Sequence, residues 1–139
     1  MTYLTLAQIQ EMHMLPASRL PKKFKYPEGF FEYILFQSIE EEVNDIFDNI
    51  SFFMIDEVVE WEKFVRKAGY ADLIPFARVD GDDLFCFDKQ DSSKIYLVDL
   101  SEKPLQEHEL TRIKNFYEFI NAIRADNDLD PWHPSQVAK

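Results

Sequence analysis

The sequence predicts an α+β fold, an antiparallel sheet flanked by N-terminal and C-terminal helices. Three observations carry that expectation. Apolar residues recur at helical spacing near both ends of the chain. Three β-rich segments follow one another between residues 73 and 100. Asp80-Gly81-Asp82-Asp83 separates the first two, and an Asp-Gly turn between apolar runs is a strong hairpin signal. With 139 residues, 46% hydrophobic and only 3 Gly, the composition is that of one globular domain and excludes collagen-like and disordered classes. Aromatics make up 15% of the chain, so a large core is available for this length.

Thr5-Leu6-Ala7-Gln8 matches a capping box, and Leu6, Ile9 and Met12 extend it into a short first helix ending near His13. Pro16 closes that helix, and Ser18 to Tyr26 reads as a basic loop. Pro27 suits the first position of a second helix, whose apolar face is Phe30, Phe31, Ile34 and Leu35. Residues Ile39 to Ile50 keep a helical period but run into the β-rich Ser51-Phe52-Phe53-Met54-Ile55, which predicts a strand. Asp56 serves as N-cap of a third helix striped by Val58, Trp61, Phe64 and Val65 and ending near Gly69.

Leu73 to Val79, Leu84 to Phe87 and Ile95 to Leu100 then form the meander, with Asp88 to Lys94 as a polar connection. Ile113, Phe116, Tyr117, Ile120 and Ile123 stripe a closing helix. The domain therefore covers residues 1–125. Residues 126–139 read as a polar, mobile tail, with Trp132 its anchor.

Charge narrows the classes of partner. Fifteen basic against 26 acidic residues give a net charge of −11, which repels phosphate backbones and anionic lipid heads and attracts basic proteins. Neither nucleic acid nor membrane is an expected partner. No window supplies the roughly 20 apolar residues of a membrane span. The single Cys86 argues for no oxidising compartment, so the cytoplasm is the expected location.

A search for chemistry yields no catalytic set. His13, His108 and His133 lie in separate segments without a second ligand at metal-binding spacing. His108 is placed in a solvated loop before the last helix. Cys86 lies between Phe85 and Phe87, where apolar surroundings raise a thiol pKa instead of activating it. No phosphate loop or nucleophile elbow is present. Neither metal nor cofactor is expected, and the chain reads as a non-enzyme.

The excess of negative charge is local as well as global: Glu40, Glu41, Glu42, Asp45 and Asp48 form a run with no basic residue among them. Clustered like charge costs stability and is kept where it steers a partner. That run is the first candidate partner-binding surface, and the hairpin tip at Asp80, Asp82 and Asp83 is the second. Those three aspartates lack the later glutamate that a complete calcium loop needs.

The run Leu73 to Asp88, Leu73-Ile74-Pro75-Phe76-Ala77-Arg78-Val79 followed by the Asp-Gly turn and Leu84-Phe85-Cys86-Phe87-Asp88, resembles the signature of the SUKH superfamily. Ile95-Tyr96-Leu97-Val98-Asp99, the closing Asn115-Phe116-Tyr117-Glu118-Phe119-Ile120 and Tyr26-Pro27-Glu28-Gly29-Phe30 are similar to its further elements. The resemblance spans about residues 26–123. It departs at Gln37-Ser38-Ile39-Glu40, where the family commonly has an Asn-Gly turn. The family includes fungal cell-wall synthesis regulators and bacterial immunity proteins. It implies a bacterial immunity protein that binds and neutralises a polymorphic toxin, often a nuclease, made by the same cell, with no catalytic residue carried over. The charge argument points the same way, since a nuclease presents a basic groove. A regulatory scaffold without a toxin partner, or a small-ligand pocket on the sheet, are the alternative readings.

Overall fold

The computed structural model describes residues 5–69, 72–79, 83–99, 106–112 and 116–133. Among the described residues, four α-helices and a short 3-10 helix (Ala17–Arg19) accompany a five-stranded antiparallel sheet in the simple order β1-β2-β3-β4-β5. The α+β class and the helices at both ends agree with the sequence.

Helix α1 (Leu6–His13) starts at Thr5, whose side chain accepts from the Gln8 N–H while Gln8 accepts from the Thr5 N–H. Helix α2 (Phe30–Val43) begins three residues after Pro27, with Gly29 as N-cap. Gly29 has φ +92°, a left-handed conformation that glycine adopts freely, and this moves the start past the expected proline. The ambiguous stretch resolves into a helix as far as Val43, an irregular loop, and β1 (Ile50–Phe52).

Helix α3 (Ile55–Lys67) is capped by Met54 and not by Asp56; Glu57 Oε1 accepts from the Met54 N–H at 3.2 Å. Asp56 instead lies in the first turn, where a carboxylate favours the helix dipole. The helix ends before Gly69, at φ +103°.

Strands β2 (Leu73–Val79), β3 (Asp83–Asp88) and β4 (Asp91–Asp99) form the expected meander. The connection between β3 and β4 is shorter than expected, because β4 already starts at Asp91. Pro75 lies where the β2–β3 register shifts, a place where a missing donor is tolerated. A fifth strand, β5 (Gln106–Arg112), covers the β4 edge where a loop was expected, and His108 is paired with Leu97 within it.

The core is aromatic. Phe76 and Phe87 stack at 4.1 Å and meet Phe30 of α2 and Phe116 of α4 (Phe116–Asp126) edge-on. Such offset and T-shaped pairs each add about 0.5–1.5 kcal/mol beyond their burial. Leu84 and Cys86 alternate with these rings and are equally buried, so both faces of the central strands are covered. Residues up to His133 do not trail away as a mobile tail. Trp132 is 2% exposed and packs on Tyr33 and Phe36, while its backbone exchanges two hydrogen bonds with Asn121. Residues 134–139 lie outside the described residues.

Candidate functional site: the end of helix α2

The acidic run does not stay together as one wet face. Its members divide between the interior and the surface.

Asp48 is 2% exposed. It accepts from the Tyr33 hydroxyl, from Gln37 Nε2 at 2.8 Å and from the Ile50 N–H at 3.3 Å. Gln37 also donates to the Ile50 carbonyl at 2.9 Å. Tyr33 and Gln37 are one helical turn apart on the buried face of α2, so the two donors converge on one carboxylate. Burial, then the neighbouring Asp48 charge, pushes the Tyr33 phenol well above its ordinary pKa, and the hydroxyl stays a donor.

Glu40 does have a cation. Arg124, from α4 and only 4% exposed, reaches it at 2.9 Å through Nη1 and 3.3 Å through Nη2. The same guanidinium donates to the Tyr33 oxygen at 3.2 Å and to the Asp130 carbonyl at 2.6 Å. The partner lies 84 residues away in the chain, which is why the run looks cation-free when read locally.

Glu41, Glu42 and Asp45 remain at the surface, Glu41 partly covered and the other two exposed. Among the described residues they form no ion pair. Burial, with Asp48 nearby, raises the Glu41 pKa. Three glutamates occupy the last turn of α2, which has no basic residue of its own; Arg124 offsets Glu40 alone, although the helix dipole favours cations at that end.

The loop that follows projects an aromatic ring. Phe47 is 56% exposed and Val43 is also exposed, while Asp48, next in sequence, is buried. Asp45 at φ +55° and Asn49 at φ +64° take left-handed conformations on either side. Asn49 donates to Asn127 at 2.6 Å, and Asn127 donates to the Asp48 carbonyl at 3.1 Å. At the other end the Asn44 and Ile46 N–H groups both donate to the Glu40 carbonyl, at 3.1 and 3.0 Å, so the loop is tied at both ends while Phe47 lies open to solvent. Sequence reading missed Phe47 because its apolar ring fits the helical period continued from Ile39, Val43 and Ile46.

At the second candidate, Asp83 opens β3 opposite Val79 and Asp99 and is partly buried. Asp80 and Asp82 lie outside the described residues. Among the described residues no three His, Cys, Asp or Glu side chains gather as a metal site, and no helix is long and apolar enough to cross a membrane. No protein-family model, curated protein or solved structure matches the chain.

Proposed function

We propose that this chain is a non-catalytic binding protein of the immunity type, which occludes the basic active-site surface of a toxin, a nuclease by preference, in the cytoplasm. The observation that carries the reading is Phe47, more than half exposed on a tied loop that follows Glu41, Glu42 and Asp45 in the chain. Interfaces draw most of their energy from a few rigid, apolar anchors ringed by polar groups. A preorganised anchor loses little entropy on binding.

The electrostatic setting supports it. A net charge of −11 attracts a partner built to hold phosphates, and the surviving carboxylates mimic those phosphates at the groove. The uncompensated charge at the end of α2 costs the fold stability, which a steering role explains. The resemblance to SUKH immunity proteins adds the class of partner.

The test takes a basic nuclease domain as the partner, sought first among the products of the genes next to this one. Nucleic-acid cleavage is measured as the purified chain is titrated in. Inhibition that saturates at a fixed molar ratio and weakens in Phe47→Ala supports the reading. Binding that leaves cleavage intact, or binding to a partner with no toxic activity, supports the scaffold reading instead.

A further inference from the structure

A second surface lies on helix α3 and is independent of the α2 end. Phe64 is 47% exposed and Met54, just before the helix, is exposed as well. Trp61 stands between the interior and Phe64. Its ring stacks on Phe53 at 6.1 Å and 15°, and meets Phe64 edge-on at 5.4 Å. The Arg78 guanidinium sits over Trp61 at 5.0 Å and fixes the indole from the sheet side. Asp56, Glu57 and Glu60, all exposed, line the open groove along this ladder. Residues 57, 60, 61 and 64 fall on one helical stripe, so carboxylates and rings share a face. Val58 and Val65 are buried on the other side of the helix and hold it to the fold.

An apolar floor with an acidic rim selects an occupant of one kind. An acidic segment is repelled by the rim, and a purely polar one leaves the Trp61–Phe64 floor wet. A segment bearing an aliphatic side chain flanked by lysine or arginine satisfies both. We propose that the outer face of α3 docks a basic, apolar-anchored segment of a protein partner, its aliphatic side chain on Trp61 and Phe64 and its cations beside Asp56 and Glu60. Glu57 is tied to the Met54 amide and serves the helix cap first.

The probe is a synthetic amphipathic peptide with a leucine face flanked by lysines, titrated calorimetrically into the full chain. Its controls are the same peptide with glutamates for lysines and a lysine peptide without leucine. The lysine-leucine peptide is expected to bind, and both controls to fail. Phe64→Ala should weaken binding about tenfold or more, as loss of an interface anchor does. Glu60→Lys should weaken it several-fold and flatten its salt dependence. Both sites are exposed, so thermal unfolding should stay near wild type, and Phe47→Ala should leave this binding unchanged. Equal binding of the glutamate peptide or the leucine-free peptide overturns the proposal, as does loss through Phe47→Ala with none through Phe64→Ala. Because the probe is synthetic, the result does not depend on whether a toxin is neutralised at the α2 end.

Discussion

The Tyr33 hydroxyl donates to the Asp48 carboxylate inside the protein, across 15 residues of sequence, and this contact decides what the acidic run can do. It pulls one end of the run into the core and turns the loop before it outward. The exposed Phe47 and the buried Asp48 are thus two consequences of one hydrogen-bonded anchor. A single carboxylate there collects donors from Tyr33, Gln37 and the Ile50 amide.

Asp48→Ala leaves those donors buried without an acceptor. It should cost about 2–4 kcal/mol, since each orphaned buried group carries its own desolvation penalty. Tyr33→Phe removes one donor to Asp48 and one of several acceptors of Arg124, and should cost less, about 1–2 kcal/mol. Urea unfolding midpoints compare the two. A neutral result for Asp48→Ala would mean the loop is not anchored there in solution.

Trp132→Ala tests whether residues 127–133 belong to the fold. The ring is buried against Tyr33 and Phe36, and its removal opens a cavity beside the Arg124–Glu40 pair. Buried Trp→Ala changes typically cost about 3–5 kcal/mol. A loss under about 1 kcal/mol would place the segment among detachable tails.

His13 gives the stability a pH dependence. Its Nδ1 donates to the Phe53 carbonyl at 2.7 Å, and burial, opposed by that bond and by Glu57, holds its pKa below the ordinary 6.5. The unfolded chain then takes up the proton first as pH falls. The stability His13 contributes is full above pH 6.5 and is lost as pH drops from there through the lowered folded value. Glu41 acts with the opposite sign: burial and then Asp48 raise its pKa, so its contribution is present at low pH and fades as pH rises from 4.5 through the raised value. Unfolding curves at about pH 8 and about pH 5.5 for wild type and His13→Gln isolate the histidine. The wild type should lose more stability on acidification than the variant. Equal losses would remove His13 from the account.

The hairpin was legible because its two strands are apolar throughout and bracket Asp-Gly, a pattern with few other solutions. The capping box at Thr5 was legible for the same reason, since both partners are local. The starts of α2 and α3 slipped by a few residues because Gly29 and Glu57 offer caps that compete with Pro27 and Asp56. Strand β5 was not legible: Gln106-Glu107-His108-Glu109 carries no apolar alternation, and its pairing with β4 makes it a strand. Nor did composition separate Asp48 from Glu42. Both are acidic residues in one run, and only the donors of Tyr33 and Gln37, 15 and 11 residues away, assign Asp48 to the core and leave Glu42 in water.

The kinetics of partner binding separate charge from anchor at the α2 end. Glu42 and Asp45 are exposed and unpaired among the described residues, so they act on a partner mainly before contact. Reversing both, Glu42→Lys with Asp45→Lys, should slow association and leave dissociation nearly unchanged, because rim charges steer encounter. Added salt should slow the wild type toward the variant, as such charges are screened beyond about 8 Å at physiological ionic strength. Phe47→Ala should do the reverse, keeping the association rate and raising dissociation about tenfold or more, since affinity changes within one interface fall mostly on the off-rate. Neither variant should unfold the protein. Removing Glu42 also relieves charge at the negative end of the α2 dipole. Stopped-flow association with the basic partner across a salt series, paired with dissociation by competition, reads both rates. Should the charge-reversed variant associate as fast as wild type at every salt concentration, steering by this segment is wrong. Should Phe47→Ala dissociate no faster, the interface is centred away from the α2 end.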